Sequence, residues 1–429
     1  MIERYSRSPM RELWTEEAKY ERWFQVEMTV VDALERLGEI PPVAAKEIRK
    51  EAKLNPERIA EIEEKIGHDL LSFVRQLEES VGPSGRYIHK GLTSYDVVDT
   101  ALSMAMRDAL NIIATELKTL SSTVKKRALE HKNTLMIGRT HGMQAEPITF
   151  GLMLLIWHAE LERDLERIES AREVISVGKI SGSVGTYANV DPKIEEAVCK
   201  KLGLKAASVS NQILQRDRHA QVLTTLAIVA GTLEKMAINI RHLHRSEVSE
   251  VREGKTHGSS SMPHKQNPST SETIAGLVRI VRVNSLAALE NMPVWNEQDL
   301  SRSSVERIII PDSFLALHYM IVKMNEVIEN LHVNVERMRE NVELSRGAVY
   351  SQAILLTLID KGMPRAEAHD TIRANSVESE KSRKHLKELL AQEKKIKPYL
   401  NAEELEELFD VKYHLKNLEK IFKRFSKST

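Results

Sequence analysis

Apolar residues recur along much of this chain in steps of four and three. Val222, Leu226, Val229, Leu233, Met236, Ile240 and Leu243 make one such series. Leu317, Ile321, Met324, Ile328, Leu331, Val335, Met338 and Val342 make another, and Met106, Leu110, Ile113, Leu117, Leu120 and Val124 a third. Phe150, Leu154, Trp157, Leu161, Ile168 and Ile175 follow the same rule with one polar interruption at Asp164. A mean spacing of 3.5 holds one stripe of a helix toward a partner helix, so each series predicts a long amphipathic helix. A fifth, shorter helix is expected over about 270 to 290 through Ile274, Leu277, Val281 and Leu289. Such helices bury their stripes by packing nearly parallel, which predicts an all-α fold with a central long five-helix bundle.

Further apolar residues, including Leu223, Ile228, Met320 and Val327, lie beside these stripes. More than one face of each helix then needs covering, and the expectation is a homotetrameric helical core. Sustained period-2 alternation is nearly absent. The glycine-rich KISGSVGTY, 179 to 187, reads as an irregular loop or short hairpin. VGPSGRYIHKG, 81 to 91, breaks the N-terminal region, where two or three short helices precede it and another starts after Thr93. KGMP, 361 to 364, stops one helix and restarts another, with Gly362 in the stop position. Three domains are expected at 1–111, 112–361 and 362–429.

Composition narrows the function. The 429 residues allow a large core. Lys plus Arg and Asp plus Glu each number 62, so there is no overall basic field of the kind nucleic-acid binding uses, and an anionic ligand must be met locally. A single cysteine, Cys199, excludes an internal disulfide and a Cys-rich metal centre. MIERYSRSPM lacks the apolar core of a signal peptide, and no uninterrupted apolar run approaches 18 residues. A soluble cytoplasmic protein, with no membrane and no nucleic-acid partner, is expected.

Residues suited to chemistry concentrate in KIGHDL (65–70), GLTSYD (91–96), GRTHGMQAEP (138–147) and GSSSMPHKQNP (258–268). In the third, Arg139, Thr140 and His141 stand ahead of Pro147, which suits the first turn of the helix that follows. His242 and His244, two apart on a helix, cannot share a metal-facing surface, and no HExxH-like spacing occurs, so no metal is expected. GSSSMPHKQNP is barred from regular helix by Gly258, Pro263 and Pro268, leaving serine hydroxyls, His264, Lys265 and Asn267 as a candidate anion-handling loop. Ser269 with Glu272 has the spacing of a capping box, and so does Ser303 with Glu306 in SRSSVER. That second helix start, with two serines and two arginines, is equally suited to an anion.

Gly258, Ser259, Ser260, Met262, Pro263, Lys265 and Asn267 match the signature GSSxMPxKxN, and on it the chain resembles the fumarase and aspartase superfamily. Arg4 and Tyr5, His68 and Asp69, Thr93 and Ser94, Thr140 and His141, Gln212 and SSVER extend the resemblance over nearly the whole chain, and within the superfamily it is similar to the adenylosuccinate lyases. The resemblance implies β-elimination of fumarate from adenylosuccinate, leaving AMP, and from the succinyl-carboxamide ribotide of purine synthesis, without a cofactor. It implies Ser259 as the base, Lys265 and loop amides as its anion-stabilising partners, His141 as the general acid, Glu272 as the residue orienting it, and His68 as an assistant. Arg4, Tyr5, Ser303, Ser304 and Arg307 would hold the phosphate. Thr93, Ser94, Thr140, Gln212, Ser260 and Asn267 would fix the carboxylates and base, with Asp69 and Arg302 also in the binding set. Active sites would be shared between subunits of the tetramer. Gln298 stands where the family usually has an arginine, with Arg302 four residues on, and Thr186 replaces a usual asparagine. A carboxymuconate cycloisomerase, or another lyase of the superfamily, is the alternative.

Overall fold

The computed structural model describes residues 1–254, 261–262 and 264–426, with no description of the Ser426 side chain. Its framework is α-helical, as the apolar spacing predicts. The five long helices are Ser94–Glu130, Phe150–Ile175, Asp217–His244, Ser269–Glu290 and Ser303–Glu329. Every member of the series from Met106 to Val124 is fully buried, as are Val222, Leu226, Val229, Leu233, Met236 and Ile240. Asp164, the one polar member of the series through Phe150, is buried too; its carboxylate accepts a hydrogen bond from Arg167 at 3.0 Å, and burial raises its pKa.

One predicted helix is in fact two. The series from Leu317 to Val342 keeps its rhythm, but the helix ends at Glu329, a two-residue strand His332–Val333 intervenes, and Asn334 caps a new helix, Val335–Glu343, by accepting from the Arg337 amide at 3.1 Å. Val335 is 38% exposed, so the stripe does not survive the break as one surface. The supposed extra faces also divide: Leu223, Met320 and Val327 are buried and only Ile228 is open.

The chain resolves by contacts into two compact units, each gathered from three stretches. The first comprises Met1–Ser121, Glu160–Ala237 and Glu272–Asn325. Its N-terminal helices Glu16–Arg36, Pro42–Glu51, Pro56–Ile66 and Asp69–Val81 pack around Trp23, Val30, Leu34, Phe73 and Leu77, and the core continues through Val97, Ile180 and Ile194. The segment 179–187 is an irregular loop, as expected, after a two-residue strand Val177–Gly178 paired in parallel with Lys205–Ala206.

The second unit comprises Ser122–Ala159, Ile238–Ser271 and Glu326–Thr429. Helices Ser351–Asp360, Arg365–Ser382, Leu386–Gln392 and Ala402–Leu408 surround Ile354, Leu358, Ile372, Leu386 and Leu390. Gly362, with φ +98°, terminates the first of them as KGMP predicts. This unit also holds an antiparallel hairpin, Leu135–Thr140 with Met143–Thr149, whose Ile137 enters that core.

Candidate functional site

The hairpin corrects the reading of GRTHGMQAEP as the first turn of a helix, which begins only at Phe150. Thr140 pairs with Met143, so His141 and Gly142 form a two-residue turn, with φ +55° and +78°. Positive φ at both central residues is the condition for a type I′ turn, whose twist matches that of the flanking strands. The register slips between Ile137 and Arg139, and Pro147 sits at that irregularity, where a missing amide hydrogen is tolerated. The consequence is that Thr140 and His141 stand exposed at a hairpin tip.

Behind the tip the second unit is tightly bonded. The Arg139 guanidinium donates both Nη groups to Glu250, at 3.0 Å to Oε2 and 2.6 Å to Oε1, and Glu250 is fully buried. Asn341 Nδ2 donates to Glu250 Oε1 at 2.7 Å, and Gln144 Nε2 donates to the Asn341 carbonyl at 2.8 Å. Three residues beyond Glu250, the buried Glu253 accepts the Thr270 and Ser271 amides at 3.2 and 2.8 Å. Glu253 therefore satisfies two of the open amides at the start of helix Ser269–Glu290. Lys265 is exposed and Asn267 half-buried, and the Lys265 amide donates to the Met262 carbonyl at 3.0 Å. His244 Nε2 lies 3.1 Å from the Gln266 carbonyl; since a carbonyl only accepts, that nitrogen carries the hydrogen. Ser259 and Ser260 lie outside the described residues.

In the first unit the candidate groups sit at helix starts. His68 caps helix Asp69–Val81: its Nδ1 accepts from the Leu71 amide at 3.3 Å, which leaves Nε2 as the hydrogen-bearing nitrogen of the neutral ring. Asp69 Oδ2 accepts from Arg307 Nη2 at 2.6 Å, bringing together two residues 238 positions apart. Thr93 and Ser94 open helix Ser94–Glu130, where buried Asp96 accepts the Thr93 amide at 2.8 Å, the Ser181 and Gly182 amides at 3.0 and 3.2 Å, and a short bond from Lys179. Asp96 thus ties the 179–187 loop to the helix start. Arg4 is exposed and Tyr5 packs edge-on against Tyr319, ring centroids 5.2 Å apart. Arg307 also lines a cavity of about 640 Å³ with Glu3, Arg11, Trp14 and Asp312. Ser303 is half-buried and Ser304 exposed at the start of helix Ser303–Glu329; Gln212 is half-buried, and Glu272 is exposed in the first turn of its helix.

Arg302 is not available to a ligand in this structure. It is 2% exposed, donates to Glu306 at 2.9 Å and Gln298 at 2.6 Å, and lies 4.9 Å from the Tyr95 ring centroid. Glu306, expected as a cap partner of Ser303, instead accepts from Arg302 and from Arg216, which in turn binds Asp99 through two bonds of 2.7 and 2.8 Å. This buried chain of alternating charge sets the start of the helix carrying Ser303, Ser304 and Arg307. Burial alone would raise the Asp99 carboxyl, but the adjoining Arg216 charge holds it below the usual carboxylate range.

Sequence reasoning missed Glu250, Glu253, Asn341 and the Asp99, Arg216 and Glu306 chain. Apart from the Arg302–Glu306 pair, four residues apart at one helix start, their partners lie farther along the chain, 17 positions for Glu253 and Thr270, 111 for Arg139 and Glu250 and 117 for Asp99 and Arg216, so no local spacing reports them.

Comparison with known proteins bears on both units. Residues 3–282 match the lyase family model, and residues 347–425 match the model of the adenylosuccinate lyase C-terminus. An adenylosuccinate lyase from Thermotoga maritima is 48% identical, covering 100% of each chain, and that from Bacillus subtilis is 47% identical over 99% of each. Among solved structures, a fumarate lyase from Mesorhizobium superposes with a TM-score of 0.91 at 28% identity, covering 98% of both chains. A β-carboxy-cis,cis-muconate cycloisomerase from Acinetobacter calcoaceticus gives 0.89 at 26% identity, covering 99% of this chain and 98% of that one.

Proposed function

Because this chain belongs to the adenylosuccinate lyase family, within the fumarase and aspartase superfamily, we propose that it is a carbon–nitrogen lyase of purine biosynthesis that releases fumarate from adenylosuccinate and from succinylaminoimidazole-carboxamide ribotide. The observation that carries this reading is the 46–48% identity to curated adenylosuccinate lyases over essentially the full length of both chains. The muconate cycloisomerase is the second reading, supported by likeness of fold at 26% identity.

The reaction breaks a carbon–nitrogen bond. A base takes the proton from the carbon beside a carboxylate, the electron pair forms the double bond of fumarate, and the departing nitrogen must be protonated. Ser259 would be the base, and it must be ionised to serve; Lys265 and neighbouring amides would stabilise it and the dianionic carboxylate that develops. His141 would donate the proton to nitrogen, with Glu272 orienting it. Imidazole suits this duty because it titrates near neutrality, and the hairpin tip leaves its ring open to substrate. His68 would assist through Nε2, the donor left by its capping bond. Arg4, Tyr5, Ser303, Ser304 and Arg307 would meet the phosphate, with Asp69 holding Arg307. Thr93, Ser94, Thr140, Gln212, Ser260 and Asn267 would hold the carboxylates and the base. Arg302 would act from beneath, by fixing the helix start.

A homotetramer with shared active sites completes the proposal. It is supported by the exposed apolar row Ile280, Val283, Leu286 and Leu289 on helix Ser269–Glu290, where Val283 is 64% open. A cytoplasmic location and a sequential division into domains 1–111, 112–361 and 362–429 belong to the same reading.

The test is ultraviolet absorbance on mixing the purified chain with adenylosuccinate and, separately, with a carboxymuconate. Fumarate and AMP in equal amounts are expected from the first and no turnover from the second; fumarate absent from the first would reject the reading. Ser259→Ala is expected to lower turnover by several orders of magnitude with native helicity, and His141→Ala by about 10²–10⁴-fold.

A further inference from the structure

A two-stranded hairpin is marginal by itself in water, so the direction of a side chain at its tip depends on whatever grips the strands. His141 occupies such a tip, and no hydrogen bond reaches its ring among the described residues. The grip is one register step behind the turn, where Arg139 pairs with Gln144 across the ladder. Arg139 is held by Glu250 through two bonds, Gln144 donates to the carbonyl of Asn341, and Asn341 donates its own amide to Glu250. The four residues close a ring: one strand bonds to Glu250, the other to Asn341, and these two to each other. Glu250 and Asn341 are both essentially inaccessible, and each is anchored further. The Glu250 amide donates to Leu243 O at 2.9 Å, its carbonyl accepts the Asn334 amide at 2.9 Å, and Asn341 Nδ2 also reaches Val248 O at 2.9 Å.

We propose that Glu250 and Asn341 are positioning residues for His141: they clamp both strands of the hairpin at the same level and so fix where the tip imidazole is presented. The proposal rests on the reading of His141 as the proton donor to the leaving nitrogen. Neither residue touches substrate in this account. Bidentate pairing makes the clamp directional, since a guanidinium fork accepts one in-plane approach of a carboxylate. A tip displaced by about 1 Å can reduce turnover on the order of 10²-fold without weakening ground-state binding.

Three variants of the full chain test this. Gln144→Ala removes one bond at a half-buried position and keeps the fold. Glu250→Gln removes the charge from the fork. The double variant Arg139→Leu with Glu250→Leu removes both charges, so that neither is left buried and unpaired. Each is expected to lower kcat, by roughly 3–10-fold for the first and 10–100-fold for the others, with KM for adenylosuccinate changed less than about threefold. In the His141→Ala background, Glu250→Gln is expected to cost almost nothing more, because the residue it serves is gone. Unchanged kcat in folded variants, or an undiminished loss in the His141→Ala background, would overturn the clamp. A second readout needs no substrate. In spectra of histidine-labelled protein, the His141 ring resonances, assigned by their loss in His141→Ala, should shift or broaden in all three variants while those of His89 stay fixed. If they do not move, the clamp is wrong. If they move while wild-type protein releases no fumarate, the clamp stands and the lyase reading falls.

Discussion

The two units hold their candidate groups in opposite ways. In the first, His68, Thr93, Ser94, Ser303 and Ser304 sit at helix starts, and supports lie deep: buried Asp96 holds the Thr93 amide, while Asp99 and Arg216, at most 2% exposed, continue through Glu306 to Arg302 beneath Ser303 and Ser304. In the second, Thr140 and His141 sit at the tip of a hairpin whose anchoring arginine is itself partly open to solvent. A helix start has fixed geometry and free amides that suit anions, so it needs support from below only against sliding or tilting. A hairpin tip has neither, and its support must set its direction. Damage to the support should therefore read out differently, as lost stability in the first unit and as lost turnover in the second.

Removing the central arginine of the buried charge chain tests this difference most directly. Arg216→Met leaves the Asp99 and Glu306 carboxylates buried without their shared partner, and removing one member of a buried ion pair costs about 3–5 kcal/mol. Chemical denaturation should show this as a shifted midpoint. Glu250→Gln should cost less stability, because the released Arg139 side chain remains 21% exposed and can be hydrated. Equal destabilisation by both variants would dissolve the distinction between the units.

A smaller effect comes with pH. His219 is 3% exposed, neither ring nitrogen has a hydrogen-bond partner among the described residues, and burial followed by the nearby Arg216 charge pushes its pKa down to about 4. The folded protein then holds His219 neutral below pH 6.5, where an unfolded histidine takes up a proton. Stability on this account is complete above the unfolded pKa and is lost as pH falls from about 6.5 toward 4, by about 2–4 kcal/mol at the bottom of that window. His219→Phe keeps a planar ring at the site, though a larger one, and removes the titration, so whatever its stability at neutral pH its unfolding midpoint should fall less over the same range. A parallel decline in wild type and variant would assign the acid limb to other groups. Asp99 contributes separately and lower down, since a depressed carboxyl loses its contribution only as pH drops through its folded pKa.

The long helices were legible because burial on one side of a helix leaves a periodic trace, and every residue from Met106 to Val124 in that trace is buried. The break at Leu331 was not, because Leu331, Met338 and Val342 keep the period while the backbone turns; Asn334 was its one local signal, a capping residue inside an apolar rhythm. The hairpin escaped for the opposite reason. Gly138, Arg139 and Pro147 interrupt any alternation, and the face that is buried meets helices some 200 residues on. His141 was legible as a reactive residue and illegible as a turn residue, although His–Gly between two short runs is compatible with a two-residue hairpin loop. What supports the candidate groups was least legible of all, for Glu250, Glu253 and Asp99 are ordinary acids until their partners are seen.

Two glycines share nearly the same backbone in different surroundings, and the one in open space should give the mildest change. Gly91, in the first unit, has φ +76°, and an added Cβ would lie 2.2 Å from the Asn189 carbonyl oxygen. Gly142, in the second, has φ +78° and open space around it. Both Gly→Ala changes incur the left-handed penalty of about 1–2 kcal/mol, but only Gly91→Ala must also displace backbone. Gly91→Ala should therefore be the more damaging to stability, and Gly142→Ala should cost about 1 kcal/mol while disturbing the turn that presents His141. Gly142→Asn, a residue that tolerates this conformation, should recover most of that loss together with turnover. If Gly142→Asn restores stability but leaves kcat low, the turn needs glycine for something other than its φ, such as close approach of substrate to the backbone.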